Sequence, residues 1–188
     1  MIGVIDCETT GLIPYFHEAI DISILPLTDT FEPHEGIEPF YVEIKPQFPE
    51  RAEARALKVN GHTMDELMQR TITRESAVNM FTEWFSRCVP RHQKVEPLAQ
   101  NWSFDRSFLT ATFQGLNLDN YIFYRARDIQ RVIEFINDRA RIHGARVPFS
   151  SSALVKVAQA LGIENKNPHS AMCDCYTTAA VYRTLCLR

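Results

Sequence analysis

The stretch I-D-C-E-T-T-G-L, residues 5–12, closes the first apolar run of the chain with two acids. Residues 2–7 have the composition of a buried β-strand. Side chains two positions apart leave a strand on the same face, so Asp6 and Glu8 project side by side. Two neighbouring carboxylates share a proton, reach water or bind a cation, and hard divalent cations suit oxygen ligands. On its own, this short pattern is more often a solvated strand end than a functional pair.

Periodicity predicts an α/β domain around this strand. Further strands are predicted at residues 18–27, 38–45, 95–100 and 121–125. Helices are predicted after the capping box of Thr63 and Glu66, over the apolar stripe from 77 to 88, from residue 101 or 103 to Gly115, from 129 to about 144, from the serines at 150–152 to Gly162, and from about 170 to 187. Early strands followed by alternating strands and helices favour a mixed sheet in one domain.

The composition is that of a globular protein, with 45% hydrophobic and 23% charged residues. No run of 18 apolar residues occurs and the first strand begins at residue 2, so we expect a cytoplasmic protein without a signal peptide or membrane span. The five cysteines are irregularly spaced, which favours reduced thiols over a zinc site.

The charge is divided unevenly along the chain. Residues 1–120 hold 10 basic and 18 acidic residues, a balance of −8, whereas residues 121–188 hold 10 and 5, a balance of +5. A basic C-terminal third is compatible with a polyanionic partner, but the charge alone is more typical of ordinary solvated surface.

Two further segments carry polar residues where predicted helices begin. Asp105 lies in the opening turn of the helix that follows the strand at 95–100, and His169 precedes Asp174 at the start of the last helix. Each has an ordinary explanation when taken alone. An acid at a helix N-terminus is stabilised by the helix dipole, and a single histidine in a loop is usually solvated.

Together, three segments resemble the motifs of the DnaQ-like 3′→5′ exonucleases, in the subgroup named DEDDh after its acids and histidine. They are the D-x-E pair, N-W-S-F-D at 101–105 and H-S-A-M-C-D at 169–174. The segment A-L-K-V-N-G-H-T, residues 56–63, is similar to the one that helps line the terminal nucleotide pocket in this family. The resemblance runs from residue 4 to about 185. It implies a ribonuclease-H-like α/β fold, a five-stranded mixed β-sheet flanked by α-helices on both faces, in a single exonuclease domain over residues 1–188.

The resemblance also implies a catalytic site. Asp6, Glu8, Asp105 and Asp174 carry over as metal-binding carboxylates, and His169 as the general base. Two divalent cations, Mg²⁺ or Mn²⁺, would offset the charge of four carboxylates and support hydrolysis of a phosphodiester. Under this hypothesis Asp6 bridges both cations. The products would be nucleoside 5′-monophosphates released one at a time from a 3′ end.

Residues near these motifs are candidates for substrate contacts, each with a loop or packing role as an equal alternative. Thr9, Thr10 and the backbone near Gly11 are expected to meet the terminal nucleotide, Leu12 to press against its base, and Asn60 to line the base pocket. Asn101 is expected to act first as a helix cap.

The expected partner is the 3′ end of a nucleic acid, single-stranded or frayed, with DNA favoured over RNA. The resemblance also allows a polymerase or another replication or repair protein as a partner. One alternative is an RNA 3′→5′ exonuclease of the oligoribonuclease type, and a second is a non-catalytic nucleic-acid- or polymerase-binding module. The chain departs from many relatives by having Gln100 in place of a histidine, a long proline-rich segment at 27–50, and six arginines between residues 125 and 150.

Overall fold

A five-stranded mixed sheet lies at the centre of the computed structural model, which describes residues 1–187. The strands are β1 (Ile2–Thr9), β2 (Ala19–Leu27), β3 (Phe40–Glu43), β4 (Glu96–Ala99) and β5 (Arg127–Asp128). The α-helices are α1 (Ala54–Asn60), α2 (Met64–Gln69), α3 (Arg74–Cys88), α4 (Trp102–Thr112), α5 (Ile129–Ile142), α6 (Leu154–Leu161) and α7 (Ala171–Cys186). Short 3₁₀ turns occur at Pro49–Arg51 and Leu118–Asn120.

The strand order is β3-β2-β1-β4-β5, which makes β1 the central strand. β1 pairs antiparallel with β2 and parallel with β4, while β4 pairs parallel with β5. Because β1, β4 and β5 run in the same direction, their carboxyl ends meet at one edge of the sheet. Crevices at the carboxyl ends of parallel strands are the usual binding sites of such sheets. The D-x-E pair therefore lies at the edge where a site is expected.

Two hydrophobic cores cover the two faces of the sheet. On one face, Ile5 and Cys7 of β1 pack with Phe81 of α3 and Phe108 of α4. On the other face, residues such as Val4, Ile133, Val157 and Ala179 join β1 to α5, α6 and α7. The alternation of β1 therefore directs Asp6 and Glu8 to the face of α7. Helices on both faces confirm the predicted layering.

The predicted strand at 121–125 does not form. Its only pairing is a bridge in which Val95 N–H donates to Tyr121 O and Phe123 N–H donates to Val95 O. Phe123 and Tyr124 are then exposed, and regular pairing resumes three residues after Tyr124, at Arg127 of β5. This aromatic segment has the composition of a strand but forms a loop, since β-propensity alone does not fix pairing.

The helix termini largely follow the sequence signals. Thr63 and Glu66 form the predicted reciprocal capping box of α2. The serines before α6 do not cap it, since its first turn follows Ala153, whose N–H donates to Ser151 Oγ. α1 is ended by Gly61, which adopts the left-handed conformation at the C-cap. Among residues 1–187, no helix combines the length and apolar character needed to cross a bilayer.

Candidate active site

Five polar residues converge at the carboxyl end of β1. Asp6 and Glu8 come from β1, Asp105 from the first turn of α4, Asp174 from the first turn of α7, and His169 from the loop before α7. Ligand atoms of Glu8, His169 and Asp174 all lie within 4.8 Å of one another. Asp6 lies close enough to Asp105, Glu8 and Asp174 for their charges to act on it. The structure therefore brings together all five residues predicted to be catalytic.

Asp105 is held against the end of β1 by Cys7. Its Oδ1 accepts hydrogen bonds from Cys7 N–H at 3.1 Å and from Cys7 Sγ at 3.3 Å. The Cys7 thiol is buried in the core face, as its place between Asp6 and Glu8 predicts, and it also contacts the site. Asp105 is buried as well, so these donors stabilise a carboxylate that has little access to water.

Asp128, at the end of β5, joins the N-termini of two helices. Its Oδ2 accepts from Trp102 N–H, the first residue of α4, and its Oδ1 accepts from Gln130 N–H of α5, both at 2.9 Å. Asp105 lies three residues beyond Trp102, so Asp128 fixes the turn that carries a site acid. The sequence offers only the signal of an ordinary N-cap at this position.

Asp174 is oriented by the loop that precedes α7. Its Oδ1 accepts from Asn165 Nδ2 at 2.8 Å, and its Oδ2 accepts from His169 N–H at 3.0 Å. His169 has a left-handed backbone, with φ of 65°, which is unusual for a residue other than glycine, and its side chain is exposed. The loop therefore orients the Asp174 carboxylate and leaves the His169 ring exposed. No sequence pattern indicates the contribution of Asn165.

Burial and mutual repulsion make this cluster costly to ionise. Burial raises the pKa of Asp6 well above its usual range, and the carboxylates of Asp105, Glu8 and Asp174 raise it further. Burial, together with Asp174 and Asp21, raises the pKa of Glu8 to about 8. A bound cation offsets repulsion of this kind, so the raised values agree with a cation site.

The other two acids are also shifted, although hydrogen bonds oppose the change. Burial raises the pKa of Asp105 to about 7 against the hydrogen bonds from Cys7. Burial raises the pKa of Asp174 against the hydrogen bonds from Asn165 and His169. Four oxygen donors and one imidazole form a ligand set that suits hard divalent cations.

A buried network of polar residues around Asp21 of β2 lies next to Glu8 of β1. The sequence did not reveal this network. Asp21 is the cross-strand partner of Glu8 and is buried. His62 Nε2 lies 2.7 Å from Asp21 Oδ2, and Arg70 Nη1 lies 2.9 Å from Asp21 Oδ1. Directly opposed like charges destabilise a sheet, so the two basic partners offset the proximity of Asp21 to Glu8. His62 and Asp21 line one cleft with His169.

Most of the predicted substrate residues have internal partners for their side chains. Thr9 Oγ1 donates to Gly11 O at 2.7 Å, and Thr10 Oγ1 accepts from Glu18 N–H at 2.9 Å. Gly11 is packed so tightly that a Cβ there would lie 2.4 Å from the His17 ring. Leu12, in contrast, is 70% exposed. The first three residues shape the turn, and Leu12 is available for contact.

The two predicted asparagines also have defined roles in the turn geometry. Asn60 is buried, with Nδ2 donating to Thr9 O at 3.1 Å and Oδ1 accepting from His62 N–H at 3.3 Å. Asn101 occupies the N-cap position of α4, but its Oδ1 accepts from Ser103 Oγ instead of a backbone N–H. The expected cap is therefore present by position without the capping bond to the backbone.

Two departures from the family pattern have structural explanations. Gln100, at the end of β4, donates from Nε2 to Ser152 O and so ties the site edge to the segment before α6. Of the six arginines between residues 125 and 150, three form ion pairs with acids, namely Arg127 with Glu96, Arg131 with Glu134 and Arg141 with Asp138.

The sequence and the fold identify the family of the chain. The model of the exonuclease family matches residues 4–182, which is nearly the whole length. The chain belongs to the exonuclease family. The predicted enzyme class and the predicted DnaQ-like family are thereby confirmed, and the acidic site described above is consistent with the DEDDh subgroup. No curated protein gives a significant match to this exonuclease.

Solved structures show the same fold. A zinc-bound complex of E. coli exonuclease I with single-stranded DNA superposes on this exonuclease with a TM-score of 0.77 at 22% identity, covering 100% of this chain and 40% of that one. Cell-death related nuclease 4 gives a TM-score of 0.75 at 15% identity, covering 99% and 63%. At these identities the likeness shows the fold, and it confirms the predicted ribonuclease-H-like architecture. This exonuclease spans about two fifths of the length of exonuclease I.

Proposed function

We propose that this exonuclease removes nucleotides from 3′ ends, with DNA favoured over RNA, and releases nucleoside 5′-monophosphates in a metal-dependent hydrolysis. The observation that carries the proposal is the convergence of four carboxyl groups and one exposed imidazole at the carboxyl end of β1. Exonuclease I has been solved with a bound dT13 oligonucleotide, and this supports a strand as the substrate here. We further propose that residues 1–188 form one exonuclease domain. A polymerase or another replication or repair protein as partner stays a prediction.

The four carboxylates would hold two divalent cations, Mg²⁺ or Mn²⁺. Asp6, Glu8, Asp105 and Asp174 suit this role because each has a pKa raised by burial, and a nearby positive charge favours the ionised form. When bound, such cations supply charge that activates a water molecule and stabilises the leaving oxygen of the phosphodiester. Cys7 and Asn165 keep Asp105 and Asp174 oriented through hydrogen bonds.

His169 would act as the general base. Its imidazole lies within 4.8 Å of the carboxylate oxygens of Glu8 and Asp174, and its exposed position leaves it open to an incoming strand. A ring nitrogen at this place would accept the proton of the attacking water as the new P–O bond forms and the bond from phosphorus to the 3′ oxygen of the preceding nucleotide breaks. The backbone N–H of His169 is held by Asp174 Oδ2, which restricts where the ring points.

The turn after β1 would receive the terminal nucleotide. Thr9, Thr10 and Gly11 form a tightly bonded turn whose shape Asn60 maintains by donating to Thr9 O. Leu12 is exposed directly beyond this turn and is placed to pack against a base. Asn101, at the N-cap position of α4, would contact the strand where that helix begins.

Degradation of end-labelled strands tests the proposal. We expect single-stranded DNA with a 5′ label to give a ladder shortened one nucleotide at a time when Mg²⁺ or Mn²⁺ is present, with 5′-monophosphates as products. Asp174→Asn should abolish the ladder, and Asp138→Asn, at an exposed acid of α5, should leave it unchanged. Absence of a ladder with both cations, or products that carry a 3′-phosphate, would contradict the proposal. A matched RNA strand that is degraded faster would favour the RNA exonuclease alternative.

A further inference from the structure

The segment between the terminal-nucleotide turn and β2 presents an unusual run of exposed apolar side chains. We call residues 12–16 the 12–16 loop. Its large side chains, Leu12, Ile13, Tyr15 and Phe16, are between 48 and 70% exposed, whereas Gly11 and His17 on either side are buried. Single exposed apolar residues are common, but a contiguous group of them marks an interaction surface.

Hydrogen bonds hold the 12–16 loop in place. Its apolar side chains are therefore exposed in an ordered loop. His17, 4% exposed, accepts from Ile13 N–H at its Nδ1 at 2.9 Å, and Ile13 O accepts from Phe16 N–H and His17 N–H. His17 Nε2 lies 3.4 Å from Glu53 Oε1, which anchors the loop to the start of α1. Tyr15 adopts a left-handed backbone with φ of 68°, a strained state for a bulky residue. The buried histidine thus stabilises a shape that keeps the aromatic rings outside.

Positive charge accompanies the aromatic side chains, although residues 1–120 as a whole are acidic, with a balance of 10 minus 18, or −8. The Arg51 guanidinium lies 3.9 Å from the ring centroid of Phe48 and 5.4 Å from that of Phe16. Glu18 holds the backbone of Phe48 in place, because its carboxylate accepts from the Phe48 N–H at 2.8 Å. One guanidinium is thus within cation–π range of two aromatic rings.

A cleft lies beside the 12–16 loop, and a second arginine borders it. Arg74 lines this cleft together with Tyr15, Phe16 and Arg51. The nearest carboxylates lie 3.8 Å from Arg51, at Glu50, and 3.6 Å from Arg74, at Glu75. Both distances exceed those of charge-assisted hydrogen bonds, so the guanidinium groups keep donors free for an anionic ligand.

We infer that the 12–16 loop is a stacking surface for unpaired bases of the strand whose 3′ end lies in the active site, with Tyr15 and Phe16 as the stacking residues. This inference rests on the proposed function. Aromatic side chains interleaved with cations are the usual means of binding single strands, since every base has a face to stack and every linkage a negative charge. The loop begins four residues after Glu8, directly after the turn proposed to receive the terminal nucleotide. An apolar protein segment would not use the two arginines.

Dependence of binding on strand length tests this surface. The variants are Tyr15→Ala, Phe16→Ala and the double variant, with Phe135→Ala as control, because Phe135 is an aromatic residue of α5 that is 66% exposed. Binding of single strands of about two, four and eight nucleotides is measured in the Asp174→Asn background. We expect the longest strand to lose about tenfold or more in affinity in the double variant, with the dinucleotide unchanged. Unchanged affinity for every length, or an equal loss with Phe135→Ala, would overturn the inference.

Two further measurements separate stacking from other roles of the loop. Abasic positions in the longest strand should lower its affinity for the parent protein and remove the difference between parent and double variant, whereas Phe16→Trp should retain parental affinity. Hydrolysis of the nitrophenyl ester of thymidine 5′-phosphate, which fills only the terminal site, should stay within about twofold of the parent in all loop variants. Loss of this ester activity in the loop variants would overturn the inference, because the loop would then shape the terminal site. Failure of the parent itself to hydrolyse the ester would instead count against the proposed function, and length-dependent binding would still be read separately.

Discussion

His169 combines an exposed ring with a backbone conformation fixed by Asp174. Replacing it with alanine removes the proposed proton acceptor and leaves the carboxylates in place, so we expect kcat to fall by about 10²-fold or more with little change in KM. Rates on single-stranded DNA at saturating Mn²⁺ measure this effect. His143→Ala, at an exposed histidine beyond α5, serves as control. A folded His169→Ala protein with the parental rate would exclude His169 as the base.

Asn165 acts on the site through Asp174. Its Nδ2 donates to Asp174 Oδ1, and this bond holds the pKa of Asp174 down against the effect of burial. In Asn165→Ala the carboxyl group should hold its proton more tightly, so we expect Mn²⁺ to bind about five- to tenfold more weakly at neutral pH. Calorimetric titration with Mn²⁺ provides the measurement. Asn167→Ala, an exposed residue of the same loop, should bind Mn²⁺ like the parent, and equal affinities for both variants would contradict the assignment.

At the scale of the elements, α4 and α5 share one carboxylate as their N-terminal acceptor. Removing it in Asp128→Ala leaves the N–H groups of Trp102 and Gln130 without their partner, so we expect a loss of about 1–3 kcal/mol in the free energy of unfolding. Urea denaturation measures this loss. Asp128→Asn, which keeps one acceptor oxygen, should lose less, and Asp138→Ala on the exposed side of α5 should change stability by no more than about 0.5 kcal/mol. A loss no greater than that of Asp138→Ala would show that the shared acceptor is unimportant.

The sequence predicted the elements and the site acids better than the connections between them. Asp6 and Glu8 could be placed side by side because strand alternation is local, whereas Asp105 and Asp174 were assigned to the site only through the resemblance of their motifs to those of the family. Local composition does not reveal partners that are distant in sequence, such as Arg70 for Asp21. The wrong assignment of a strand at 121–125, where β5 is in fact Arg127–Asp128, has the same origin. Pairing with β4 decides which residues form the edge strand, and aromatic composition does not report pairing.

At the scale of the whole molecule, the acidic cluster connects stability to pH and to cations. Folding raises the pKa of Glu8 to about 8 and that of Asp105 to about 7, so the folded protein holds protons that the unfolded chain releases near its ordinary carboxyl pKa values. The unfolded state therefore binds fewer protons, and the free energy of unfolding falls as pH rises from about 4.5 to about 8.

This sign yields a testable contrast. In the presence of a chelator, Tm should fall by about 5 °C or more between about pH 5 and pH 8, and Mn²⁺ should restore it most strongly at the alkaline end, where the acids are ionised. Thermal unfolding followed by circular dichroism measures both effects. In Glu8→Gln the decline with pH should be smaller. A Tm in chelator that rises over this range would contradict the assigned shifts.

The central position of β1 has a consequence for the timescales of the site. β1 is hydrogen-bonded to β2 from Ile2 to Thr9 and to β4 over Ile2–Val4, and Cys7 N–H donates to Asp105 Oδ1, so the amide hydrogens next to Asp6 should exchange with solvent only when this part of the sheet opens. The loop that carries His169 belongs to no strand or helix and should exchange by local opening, orders of magnitude faster. Asp6 and Glu8 thus lie on a slowly exchanging strand, whereas the imidazole of the proposed base lies on a segment that should open rapidly.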